Sequence, residues 1–208
     1  MMELNANQVK ELREKTGAGI MDCKRALSEA AGDLEKAVVW LREKGIAAAA
    51  GRAGRVASEG SVGSYIHAGG KLGVLIEVNC ETDFCAKSEA FQALVKELAM
   101  QVAAANPRCV RREELSPAVI EQERQIYASQ AEGKPAAVVI KIVDGKIEKF
   151  YKEACLLEQA YVRDPNKTVN DLLGEAAIQM REKIDVRRFT RYQLGESLDG
   201  KATGTAAA

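Results

Sequence analysis

The sequence predicts an α+β protein, with an N-terminal bundle of three short helices followed by a core domain of antiparallel strands and helices. Three observations carry this prediction. Apolar residues in the first 45 positions recur at helical spacing between glycine breaks. Two β-rich runs flank a Gly69-Gly70 turn. Beyond them Phe91, Leu94, Val95, Leu98 and Val102 fall at i, i+3, i+4, i+7 and i+11, one apolar face of a long helix.

In the first helix Val9 and Leu12 share a face, and Thr16-Gly17-Ala18-Gly19 breaks it. Ile20, Cys23, Leu27 and Ala31 recur at helical spacing in the second. Gly32 suits a left-handed C-terminal cap, and Asp33 suits the N-cap of the third. Leu34, Ala37, Val38 and Leu41 form that helix's buried stripe, and Gly45 ends it. Three helices of this length are small for an independent core, but the short turns favour a compact bundle. The Ala/Gly/Arg-rich stretch from Ile46 to Gly60 begins as possible helix and reads as a linker. Its basic residues suggest a phosphate clamp, although a solvated linker is the plainer reading.

The hairpin pairs Val62–His67 with Leu72–Asn79. Asn106-Pro107 stops the long helix. Ser116-Pro117 starts another, as N-cap and first-turn proline, and Gly133 closes it. Between Ala136 and Leu157 propensity alone would choose a β-hairpin around Asp144-Gly145. Val139, Val143, Ile147, Phe150, Tyr151 and Ala154 instead line up at helical spacing straight through Gly145, so the segment is read as helix. Ala160-Tyr161-Val162 reads as a short strand and Asp164-Pro165-Asn166 as a turn. Thr168 and Asp171 cap a helix along Val169, Leu172, Leu173, Ala176 and Met180, and Arg188–Leu194 alternates as a final strand. The expected domains are 1–50, a linker over 51–60, a core over 61–197 and a flexible tail over 198–208.

Lys+Arg and Asp+Glu are 30 each, so the formal net charge is zero. A protein that lives on nucleic acid ordinarily carries a basic excess, so a protein partner, without direct nucleic-acid contact, is expected. No apolar run approaches the length of a membrane span, about 20 residues, and the first residues do not read as a secretory signal. A cytoplasmic location follows, where Cys23, Cys80, Cys85, Cys109 and Cys155 stay mostly reduced. With His67 the only histidine, no metal site is expected.

No P-loop, no Gly-x-Ser-x-Gly elbow and no Ser-His-Asp arrangement is present. The residues favour a binding function over an enzyme, with no catalytic residues and no cofactor. One segment stands apart: Asn79-Cys80-Glu81-Thr82-Asp83-Phe84-Cys85, where the second hairpin strand gives way to the long helix. Such junctions are surface features that carry function. An exposed Phe84 beside Asp83 would make a compact probe, a ring for an apolar slot and a carboxylate able to disturb a metal. Spacing alone favours the other reading, in which Phe84 packs on its own core and Thr82 or Asp83 caps the helix.

The stretch from Leu12 to Leu27, with Thr16-Gly17-Ala18-Gly19-Ile20-Met21-Asp22-Cys23-Lys24 at its centre, resembles the amino-terminal signature of elongation factor Ts. Glu77–Phe84 resembles that family's second signature. Lys149-Phe150-Tyr151, Leu157-Glu158-Gln159, Lys167-Thr168-Val169 and Arg191–Glu196 resemble it as well, in order along nearly the whole chain. The resemblance implies a guanine nucleotide exchange factor for elongation factor Tu, without covalent catalysis. It implies that the first three helices are similar to ubiquitin-associated (UBA) domains and dock on the GTP-binding domain of elongation factor Tu. Arg13, Ile20, Met21 and Lys24 occupy that docking surface, although Ile20 reads equally well as core. Thr82, Asp83 and Phe84 match the family's Thr-Asp-Phe motif, which pushes in near the bound magnesium. Cys85 stands where the family commonly has valine. The region from Tyr161 to Thr168 and the last strand are candidates for gripping a further domain of elongation factor Tu. Some short family members pair with a second copy, so a homodimer or 2:2 complex is possible. Two other readings stand beside this one: a general adaptor built on the three helices, and a small enzyme using the Cys80–Cys85 pair.

Overall fold

In the structure, a computed structural model, residues 6–16, 18, 20–52 and 54–196 are described. They form α1 (Ala6–Thr16), α2 (Ile20–Glu29), α3 (Leu34–Arg52), β1 (Glu59–Ile66), β2 (Leu72–Cys80), α4 (Asp83–Ala86) and α5 (Glu89–Ala105). After these come α6 (Pro117–Ser129), α7 (Ala136–Ala154), β3 (Ala160–Tyr161), β4 (Asp164–Thr168), α8 (Val169–Met180) and β5 (Asp185–Gln193). The fold is α+β, as expected. Gly17 and Gly19 of the first break, and the tail from Leu198, lie outside the described residues.

The chain gathers into two compact units. The first takes in the described chain up to Gly60 with Asn79–Phe91 and Leu173–Asp185. The second takes in Ser61–Val78, Gln92–Leu172 and the described chain from Val186.

In the first unit Val9, Leu12, Cys23, Ala26, Leu27 and Ala37 form the core of α1–α3, with Leu34, Val38, Trp40 and Leu41 packed against it. Asp33 caps α3, its carboxylate accepting from the Lys36 N–H at 3.0 Å. The end of α2 differs from expectation. Gly32 N–H donates to Leu27 O at 2.8 Å and Ala31 N–H to Ser28 O at 3.3 Å, the paired bonds of a Schellman cap. The left-handed residue that cap requires is Ala31, at φ +51, with Gly32 following at φ +83. Gly45 does not end α3, which runs on to Arg52. A Cβ at Gly45 would stand 2.3 Å from Cδ1 of Ile178 on α8. The glycine is therefore there for close approach, not for helix termination.

In the second unit β1, β2 and β5 lie side by side in the order β1-β2-β5. The β1–β2 turn uses Gly69 and Gly70 at φ +88 and +68. One face of this sheet meets α5: a Cβ on Gly63 would come within 2.2 Å of the Val95 side chain. The other face leaves Val62, Ile66, Leu75 and Tyr192 exposed. Segment 136–154 is helical, and α7 buries Val143, Ile147, Phe150 and Ala154 while passing through Gly145. Two expectations are corrected. Asp164-Pro165-Asn166 is strand, not turn, because Ala160 pairs with Thr168 and Tyr161 with Asp164. Pro165 is tolerated there because a two-stranded sheet has only edges. α6 ends at Ser129, short of Gly133, which takes φ +87 in the following turn.

Gln101 and Gln159, both buried, tie this unit together. Gln101 Nε2 donates to Gln159 Oε1 at 3.1 Å and to Ala160 O at 3.2 Å, while its Oε1 accepts from Val162 N–H at 2.9 Å. Gln159 Nε2 donates to Glu153 O at 2.7 Å and Ala105 O at 3.2 Å.

Ala31 sits in a backbone conformation that costs an L-residue about 1–2 kcal/mol. Replacement by glycine removes that strain and gives back part of it as unfolded-chain entropy. Ala31→Gly is expected to raise stability by about 0.5–1 kcal/mol, measured as a higher urea midpoint with an unchanged slope.

Candidate functional site

The distinctive segment of the sequence lies wholly in the first unit. Thr82 ends the extended chain at φ −128, ψ 152 and caps α4, its Oγ1 accepting from the Cys85 N–H at 3.2 Å. α4 is a single turn, and a lone turn is not stable by itself. Its shape comes from contacts with residues about 100 positions away, at the end of α8. Glu182 Oε2 accepts from the N–H groups of Glu81 at 2.9 Å and Thr82 at 3.1 Å. Thr82 Oγ1 donates to Glu182 Oε1 at 2.5 Å. The contact is returned: Glu81 Oε1 accepts from the Lys183 N–H at 2.6 Å. Arg55 Nη1 lies 3.2 Å from Glu81 Oε2, and Lys183 Nζ donates to Arg55 O at 2.9 Å.

On this base Phe84 projects outward, 83% exposed. The packing of Phe84 on its own core, which spacing alone favours, is not what the structure contains. The other half of that reading holds, since Thr82 is the cap. Asp83 lies beside it, its Oδ2 2.7 Å from Lys87 Nζ. The Lys87 ammonium holds the Asp83 carboxyl below the ordinary aspartate range and is itself raised in return. Both side chains are well exposed, so this pair is weak and easily exchanged for another partner.

Cys85 turns inward. Its sulfur lies 3.7 Å from Met180 Sδ, and Cys80 Sγ donates to Thr82 O at 3.2 Å. Ligand atoms of Cys80, Cys85 and Glu182 lie within 4.8 Å of one another, the one grouping among the described residues with the make-up of a metal site. Burial pushes the Cys85 thiol up to about 12 and raises Cys80 too. Both Glu182 oxygens already accept from N–H or O–H groups. The arrangement is that of neutral thiols beneath a hydrogen-bonded turn. A reactive cysteine needs a lowered pKa and access, and these two are buried with raised values.

The second group of candidate residues sits on the helical bundle. Ile20 is 49% and Met21 68% exposed at the start of α2, so Ile20 is not a core residue. Arg13 and Lys24 are exposed as well. Asp22, between these positions, accepts from Arg181 Nη2 at 2.9 Å. Arg181 takes φ +60 and immediately precedes Glu182. Residues 181–183 thus touch both α2 and the Thr82 turn. Sequence reasoning missed Glu182, Arg181 and Lys183. No local pattern marks them, because their partners are distant in the chain. Among the described residues no helix is long and apolar enough to cross a membrane.

Comparison with known proteins adds a consistent finding. The family described as Elongation factor TS matches residues 5–196. An elongation factor Ts of Desulforamulus reducens is 58% identical over 100% of this chain and 96% of its own length. One from Thermoanaerobacter is 60% identical over 94% of this chain and 97% of its own, and one from Geobacter metallireducens 58% identical over 99% and 96%.

Because Lys87 favours the charged form of Asp83, the Asp83 carboxylate is expected to titrate below the ordinary aspartate value, near 3.9. The contribution of the pair is present at neutral pH and is lost as pH falls through that midpoint. Carbon-detected NMR titration reads it directly, and Lys87→Met should move the midpoint upward.

Proposed function

This chain belongs to the elongation factor Ts family, and on that premise we propose that it promotes GDP release from elongation factor Tu by binding it, without covalent chemistry. The observation that carries the reading is Phe84, a large apolar ring held 83% exposed on a turn braced from its base. Side chains of this kind, rigid and aromatic, anchor protein interfaces. In this reading the start of α2, with Ile20, Met21 and Lys24, and Arg13 on α1 dock on the GTP-binding domain. Phe84 enters an apolar slot beside the nucleotide, and Asp83 leaves Lys87 to act on the magnesium shell. Losing the magnesium removes the largest local charge opposing the nucleotide phosphates. GDP then leaves, and GTP can replace it. Such a factor works in the cytoplasm.

The thermodynamic requirement is strict. The chain must bind nucleotide-free partner more tightly than GDP-bound partner, and GDP must weaken its binding by the same ratio. Desolvating a phenylalanine contributes about 1.5–3 kcal/mol. Typical couplings are about 1–3 kcal/mol, and only the part of the Phe84 contact that GDP-bound partner does not make counts towards one. A larger coupling needs several contacts together.

Assembly with a second copy, as a homodimer or a 2:2 complex, is favoured by the open sheet face bearing Val62, Ile66, Leu75 and Tyr192. A face of this composition is of the kind that a like sheet covers.

Two measurements test these readings. Stopped-flow release of fluorescent GDP from elongation factor Tu should slow by about ten- to a hundredfold in Phe84→Ala, with the circular dichroism unchanged; a wild-type rate at equal occupancy rejects the wedge. Light scattering at micromolar concentration should give the mass of a dimer, and Ile66→Asp/Tyr192→Asp should give that of a monomer.

A further inference from the structure

We propose that Glu182 is the positioning residue for exchange, its carboxylate holding the 81–85 turn in the shape that presents Asp83 and Phe84. The inference rests on the exchange reading of that turn and assigns a role to a residue outside every motif that carries the family resemblance. Three donors of the turn converge on one side chain: Glu81 N–H at 2.9 Å, Thr82 N–H at 3.1 Å and Thr82 Oγ1 at 2.5 Å. Without that acceptor the N–H groups of residues 81 and 82 lose their fixed partner, and the four-residue helix is left with the Thr82 cap, the Glu81–Lys183 bond and the Cys85 packing, none of which holds those two N–H groups. The ring of Phe84 makes no compensating anchor, since it is exposed.

The segment carrying Glu182 is itself fixed from both sides. Arg181, in the left-handed region at φ +60, reaches Asp22 on α2, and Lys183 is held through its N–H by Glu81 and through its Nζ by Arg55 O. Residues 181–183 therefore brace the turn against the helix that carries Ile20 and Met21. Once α1 and α2 have docked, a probe presented in one geometry loses less entropy on entering its slot than a mobile one. The effect belongs to the maximal rate of release, while docking strength belongs to α2 and α1.

The donors freed by removing Glu182 lie near the surface, Thr82 being exposed, so water can satisfy them and the fold stands. Geometry also ranks the substitutions. Glutamine keeps an oxygen for the two N–H groups, whereas aspartate is one methylene too short to reach them.

The test is stopped-flow GDP release with the full chain and elongation factor Tu, as a function of factor concentration. Glu182→Ala is expected to lower the maximal rate about tenfold and leave the half-saturating concentration within about twofold. Glu182→Gln should recover most of the rate, and Glu182→Asp should behave like alanine. In Glu182→Ala/Phe84→Ala the rate should match Phe84→Ala alone, because Glu182 acts through the ring. In the free protein the Thr82 amide should exchange with solvent faster in Glu182→Ala while the melting temperature changes little. A wild-type rate in Glu182→Ala beside a slow Phe84→Ala overturns positioning and leaves the exchange reading standing. Additive losses in the double variant, or glutamine no better than alanine, overturn it equally. A wild-type rate in Phe84→Ala removes the exchange reading, and the role of Glu182 goes with it.

Discussion

Two carboxylates, each accepting a backbone N–H from the segment that carries the other, determine the geometry of the candidate site. Glu182 accepts from residues 81 and 82, and Glu81 accepts from residue 183. Hydrogen bonds to a charged acceptor contribute about 1.5–3 kcal/mol each when shielded from water. Around this turn Thr82 is exposed and water competes for the same donors, so the net contribution is well below that. What matters more is direction. The exchange fixes a crossing of two segments about 100 residues apart in sequence, and every exposed feature of the turn inherits its orientation from that crossing. The Thr82 cap, the Asp83–Lys87 pair and the outward ring of Phe84 all lie within one turn of it.

The arrangement separates a firm base from an adaptable tip. Inward-facing Cys85 packs against Met180, and burial keeps the thiols neutral. The outward-facing groups, Asp83 and Phe84, are held only by an exposed ion pair or by nothing but the backbone. A contact of that kind is given up at little cost. The same division recurs at the start of α2. There Cys23, Ala26 and Leu27 belong to the core, while Ile20 and Met21 face outward.

Most of the fold was legible because its signals are local. Periodicity located α1, α2, α3, α5, α7 and α8, and it outweighed β propensity through Gly145. Asp33, Ser116 and Thr168 marked helix starts through side chains that bond the N–H three residues on. The errors share a cause. Gly45 looked like a stop, yet its partner is Ile178; Asp164-Pro165-Asn166 looked like a turn, yet it pairs as a strand. In both, a pairing partner outside the short segment overrode the segment's own chemistry: a distant helix for Gly45, the adjoining strand for residues 164–166. The site divided the same way. Thr82 through Cys85 are contiguous and carried a recognisable pattern, whereas Glu182 acquires meaning only where the chain crosses itself. Spacing likewise favoured the wrong side for Phe84, because whether the ring points in or out depends on the brace beneath it.

The glycine inside α7 has a consequence of another kind. Nothing lies within 4 Å of where a Cβ on Gly145 would be, so no packing demand explains it. An interior glycine weakens a helix by about 1 kcal/mol relative to alanine. On the N-terminal side of it α7 leaves Val138 and Ile140 exposed and buries Val143, while on the other side Ile147, Phe150 and Ala154 are buried. The glycine is therefore a weak point in a helix whose first turns are its most exposed part. Fluctuations that melt its first turns can stop at residue 145 and leave the Gln159 amide lattice below undisturbed.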